Sequence, residues 1–105
     1  MIIKYNAKFD KKAICKNIDR LTNQIFKLLP IREEGGDWQT PLENIIIEIV
    51  GMNSILLDQV DLFSLICRLE GLKGLELEEE FFLFRKNIFE CLNLLSNIKR
   101  GLEDT

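Results

Sequence analysis

Three observations predict an all-α fold, a small bundle of about four helices packed mostly antiparallel. Phe81, Phe84, Ile88, Cys91, Leu95, Ile98 and Leu102 recur at alternating spacings of three and four, a helical seam sustained over three heptads. Ile14, Ile18, Leu21, Ile25 and Leu28 form a shorter seam of the same kind near the other end of the chain. Between the two seams, Pro30, Gly35, Gly36, Gly51, Gly71 and Gly74 divide the chain into helix-sized pieces with short connections, which make sequential helices antiparallel neighbours.

The composition fits that fold. A chain of 105 residues, 47% hydrophobic and 30% charged, is enough for one globular domain with one core. Residues 1–6 are expected to form at most a short extended arm. From about Ala7 to Leu29 the first seam predicts a first helix, with Lys8, Lys12, Lys16, Arg20 and Lys27 opposite the seam. Pro30 is expected to stop this helix, because proline has no N–H for the ladder and restrains Leu29 before it.

The loop PIREEGGDWQT follows, with Gly35-Gly36 as its turn signal and Trp38, the only tryptophan, in the most polar stretch of the chain. Trp38 reads either as an anchor dropped into the core or as an exposed contact residue, a role tryptophan often fills at interfaces. Thr40-Pro41-Leu42-Glu43 carries the residues of a capping box, with Thr40 as N-cap, proline at the first helical position and Glu43 at the third. A second helix to about Val50 would then turn Leu42, Ile45, Ile46 and Ile49 inward.

The stretch SILLDQVDLFSLICRLEGL, from Ser54 to Leu72, reads as the central helix. Leu56, Val60, Phe63 and Cys67 would form one buried face and Ile55, Leu62, Ile66 and Leu69 the next. Gly71, followed by Leu72, is expected to be its C-cap. The last helix is expected near Glu76, with Glu76, Glu78, Glu79 and Glu80 favouring the positive end of its dipole and Lys99 and Arg100 its negative end.

Several functions are disfavoured at once. No apolar run approaches the ~18 residues that would cross a bilayer, so no membrane partner is expected. The start, MIIKYNAKFDKK, lacks the apolar region of a signal peptide. Cys15, Cys67 and Cys91 are few, odd in number and far apart, which points to a reducing, cytoplasmic setting and to small core residues. With no histidine, none of them has an ordinary base partner for nucleophilic catalysis. A phosphate-cradling loop is missing too, since EEGGDWQT lacks the required lysine and spacing.

Carboxylate-bound Mg²⁺ would need acidic pairs one turn apart on two helices. Asp58 and Asp61 have that spacing, but Glu43 and Glu48 do not. The expectation is therefore a non-enzymatic chain with no metal and no cofactor.

The passage LLPIREEGGDWQTPLENIIIEIVGM, with DLFSLICRLEGL after it, resembles small uncharacterised all-helical proteins encoded by bacteriophages and mobile elements of Gram-positive bacteria. No activity comes with that resemblance. It implies only a setting in which small accessory proteins often bind a host protein, defence nucleases included.

What remains is surface. Phe82 and Phe89 stand two turns apart, off the seam of the last helix, and large exposed apolar patches are uncommon on monomers. The expected function is a protein-interaction or regulatory module, self-associating into a homo-oligomer. Trp38, Phe82 and Phe89 would be its anchors, and Glu33, Glu34 and Asp37 an acidic rim that steers a basic partner. The alternative is a nucleic-acid-binding regulator using Lys8, Lys12, Lys16 and Arg20 on phosphates. The overall acidic balance argues against nucleic acid. Residues 1–32 carry eight basic and two acidic side chains, and residues 33–105 carry six and fifteen. These uneven halves could attract each other within the fold or face different partners.

Overall fold

The computed structural model describes residues 4–5, 10–57 and 60–104, with the backbone alone at Lys4, Tyr5 and Leu57. Four helices make the fold: α1 (Lys11–Glu33), α2 (Gln39–Gly51), α3 (Val60–Leu72) and α4 (Phe81–Glu103). Two short strands, β1 (Lys4–Tyr5) and β2 (Leu56–Leu57), pair antiparallel with Lys4 opposite Leu57 and Tyr5 opposite Leu56. Each helix packs on its neighbours in sequence, and α4 closes the ring by packing on α1 as well as on α3.

Cross-helix contacts fix the directions. Arg20 of α1 meets Glu48 of α2, Glu43 of α2 meets Lys73 just past α3, and Asp19 of α1 meets Lys99 of α4. Arg68 of α3 pairs with Glu90 of α4. Between α1 and α4, Asp19 meets Lys99, Phe26 meets Phe89 and Arg32 meets Phe81, so rising numbers on one helix meet falling numbers on the other. For sequential helices each cross-contact, together with the short connection, gives the same antiparallel arrangement.

The core is one continuous cluster, and α4 supplies its spine. Phe84, Ile88, Cys91, Leu95, Ile98 and Leu102 are all fully buried, as their seam predicts, while Phe81 is half-buried at the end. The α1 seam and the inward residues of α2 are buried as expected. Each fully buried Leu, Ile or Phe contributes roughly 1.5–3 kcal/mol relative to exposure, so these seams drive the assembly.

Three boundaries differ from the sequence reading. The first helix starts at Lys11, because the Asp10 side chain accepts a hydrogen bond from the Lys12 amide (3.2 Å) and caps it there. It also runs through Pro30 to Glu33. In the last turn a proline removes one ladder bond, the one to the Phe26 carbonyl, and burial of Leu28 and Leu29 around it outweighs that loss.

The true stop is the glycine pair. Gly35, at φ 76°, donates to the Arg32 carbonyl, and Gly36 donates to the Ile31 carbonyl, the paired bonds of a Schellman cap. A Cβ on Gly36 would sit 3.2 Å from that same Ile31 oxygen.

The third difference concerns α2. Thr40 is not its cap: Asp37 accepts from the amides of Gln39 and Thr40, both at 3.1 Å, and Glu43 turns instead to Lys73.

The stretch read as a single central helix is broken. A 3₁₀ turn at Met52–Ser54 and the β2 residues precede α3, which begins only at Val60. The phase of α3 differs as well. Leu62, Leu65, Leu69 and Leu72 are buried, whereas Val60, Phe63 (60% exposed) and Cys67 face outward. This segment is apolar on both sides, so periodicity alone does not choose between them. Gly71 lies inside α3 and is not its cap.

Candidate partner-binding face

One exposed apolar surface lies where α1 and α4 run side by side. Phe82 is 74% exposed, Phe89 41% and Phe26 50%. The outward position of Phe82 and Phe89 follows from the α4 seam. They fall off the line that runs from Phe84 to Leu102, so burying that line turns them out. Phe26 does the same on α1, next to buried Ile25.

The rings of Phe26 and Phe89 meet edge to face, with centroids 6.4 Å apart. Together with Pro30 and Phe81 they line a groove of about 360 Å³, bordered by Arg85 on α4 and Glu33 on α1. The Arg85 guanidinium lies 5.6 Å from the centre of the Phe89 ring. The face thus has an aromatic floor, one cation and one anion. Such a surface suits another protein chain, since aromatic and arginine side chains carry much of the affinity at protein interfaces.

Trp38 is not part of this face. It is 5% exposed and packs edge-on against Phe84 with centroids 4.9 Å apart. Its polar neighbours misrepresent its position, because the ring turns inward under Arg32. The Arg32 guanidinium lies 4.9 Å from the Trp38 ring centre and 4.5 Å from that of Phe84. It donates to the carbonyl oxygens of Leu75 and Leu77, the latter at 2.8 Å. Arg32 thus clips the α3–α4 connection to the end of α1. Trp38 is the floor of that clip and is unavailable as a partner anchor.

The expected acidic rim divides. Glu33 borders the groove, Glu34 is exposed at the end of α1, and Asp37 spends its carboxylate capping α2. The Thr40 hydroxyl and amide and the Gln39 amide hold the Asp37 carboxyl below its ordinary range.

The basic set divides as well. Lys8 lies outside the described residues. Lys12 and Lys16 are exposed, but Asp19 and Glu103 share their surroundings, and Arg20 is engaged by Glu48 and Asn17. A run of phosphates would meet an interrupted line there.

Of the cysteines expected in the core, only Cys91 is buried, where burial pushes its thiol up to about 12. Cys15 is half-buried, with its thiol raised first by burial and then by Glu103. Cys67 is exposed on the outer side of α3. Asp58, half of the candidate Mg²⁺ pair, lies outside the described residues. Among the described residues no group of three metal-ligating side chains comes together.

The site residues expected from the sequence do not include Phe26 or Arg85, and Pro30 figures there only as a helix stop. Phe26 carried a usable signal, a lone aromatic out of phase with the α1 seam. Pro30, expected to end the helix, has no place on a helix face in the sequence.

No family model, curated protein or solved structure matches the chain. Among the described residues, no helix is long and apolar enough to cross a membrane.

Proposed function

We propose that this chain is a non-enzymatic protein-interaction module whose binding face is the aromatic groove between α1 and α4. The observation that carries the reading is the set of outward rings, Phe26, Phe82 and Phe89. A chain with a complete core has no structural need to leave them in water. Each costs free energy in solvent that a covering partner would recover, at roughly 25 cal/mol per Å². Arg85 and Glu33 give the rim its selectivity, because a partner must present the opposite charges in register. On the resemblance to phage and mobile-element proteins, a foreign partner would be a host protein.

The test is capture by the tagged chain from a lysate that also contains an untagged copy, washed at high salt. A protein retained by the wild type, foreign or identical, and lost with Phe82→Glu plus Phe89→Glu is the expected result. Equal retention by the double variant would refute the assignment of the face. Nucleic acid held at low salt and released at high salt, with no protein, would move the function to Lys12 and Lys16.

A further inference from the structure

We infer that the occupant of the α1/α4 face is a second copy of this chain, related by a two-fold axis parallel to the helices, so that α1 of one copy lies on α4 of the other. The inference rests on the preceding reading of that face and adds the partner and its orientation.

The register within one copy sets the comparison. Asp19 is level with Lys99 (2.7 Å), Phe26 with Phe89, and Arg32 with Phe81, whose ring centre is 5.7 Å from the guanidinium. A two-fold axis along the helices preserves these levels while exchanging the helices across the interface. Phe26 then meets Phe89 of the second copy at the centre. Towards one end, Glu33 of α1 crosses to Arg85 of α4. Towards the other, Lys12 and Lys16 cross to Glu103, and Asp19 to Arg100. Every outward charge named here is exposed, and each has an opposite charge within about one helical turn of its own level, an offset that the long Arg, Lys and Glu side chains span.

A two-fold axis across the helices does worse. With Phe26 on its own symmetry mate, Glu33 and Asp19, each seven residues from Phe26, would face one another as like charges. The parallel axis is therefore the one that the charge pattern selects.

The size is also adequate. Two 23-residue helices side by side offer a face ~34 Å long, and the bundle is 19 Å wide. That is on the order of 650 Å² in plan, close to the ~800 Å² that each partner buries in a standard interface. An isologous contact of this kind closes at two copies and leaves no open end for further growth.

The experiment is sedimentation equilibrium of the whole chain over a range of concentrations. The wild type is expected to reach twice its 12.3 kDa mass. Glu33→Arg and Arg85→Glu are both exposed changes, and circular dichroism should show them folded. Each alone is expected to raise the dimer dissociation constant about tenfold, because both crossings then carry like charges. An equal mixture of the two variants should restore the wild-type constant, since each copy then meets an opposite charge at both crossings.

A wild type that stays at 12.3 kDa throughout would overturn the second copy as occupant. Failure of the mixture to restore association would overturn the parallel axis. If the chain is monomeric but Phe82→Glu plus Phe89→Glu still abolishes capture of a foreign protein, the binding face stands and only its occupant changes. If neither measurement responds to the aromatic changes, both readings fall.

Discussion

Replacing Arg32 with methionine keeps most of the aliphatic stem and removes everything the guanidinium does. Two hydrogen bonds to the backbone oxygens of Leu75 and Leu77 are lost, and so are the faces of Trp38, Phe81 and Phe84 under the cation. The group is half-buried. Each hydrogen bond is therefore worth about 1 kcal/mol, below the usual figure for a charged donor. The ring contacts together add about 1 kcal/mol.

The expected loss is about 3 kcal/mol, or a Tm lowered by about 12 °C for a domain of this length. Arg32→Lys should lose about half as much. A single ammonium keeps a charge near the rings but cannot fork to two carbonyls. The assay is urea unfolding followed by fluorescence of Trp38, the only tryptophan, with the slope m unchanged between variants. If Arg32→Met unfolds within about 0.5 kcal/mol of the wild type, the clip on the α3–α4 connection does not hold in solution.

Three further outcomes follow from geometry already described. Cys67 should react with a maleimide in the native protein within minutes, Cys15 more slowly, and Cys91 only after denaturant is added; labelling of Cys91 first would mean that α4 is packed in another phase. Asp37 has a folded pKa below its ordinary 3.8, so its contribution to stability is present above the unfolded value and is lost as pH falls through the folded one. Asp37→Asn should accordingly flatten the acid limb of a Tm-against-pH curve between roughly pH 5 and 2, and an unchanged limb would show that Asp37 does not cap α2. Gly35→Ala meets no atom within 4 Å but holds φ at 76°, so it should cost about 1 kcal/mol by backbone conformation alone, while a neutral result would mean α1 ends elsewhere.

The parts of the fold that were legible share a physical reason. The α4 and α1 seams stand out because each is a single apolar line bordered by polar residues, so one phase is clearly better than the others. The inward face of α2 was legible in the same way, although Ile47 and Val50 stay exposed beside it. α3 was not legible, because Val60, Phe63 and Cys67 repeat as well as Leu62, Leu65 and Leu69. The choice between them is made where α3 packs on α4 and α2, which buries Leu62, Leu65, Leu69 and Leu72 and is a property of the assembled bundle.

The helix runs through Pro30 because a proline stops a helix in its middle far more effectively than in its last turn. The choice between core and surface for Trp38 is open in the sequence for a related reason, and the structure decides it against a partner anchor. The environment of Trp38 is built by Arg32 and Phe84, and Arg32 in turn is held by residues more than forty positions away. Half of the candidate face was legible, since Phe82 and Phe89 are out of phase with a clear seam. The other half was hidden, because the pairing of α1 with α4 that brings Phe26 and Pro30 beside Phe89 is a property of the closed ring.

That closed ring has a consequence for how the chain is made. α4 covers both α3, its neighbour in sequence, and α1, the most distant helix. During synthesis, α1, α2 and α3 leave the ribosome with the inner stripes that α4 will cover still open to water. They can collapse loosely, but the faces of α1 and α3 that pack on α4 stay uncovered until Phe81–Glu103 has emerged. The final helix therefore acts as the closing step of folding. A ribosome stalled before it would hold a nascent chain with an open apolar trough, the kind of surface that chaperones bind.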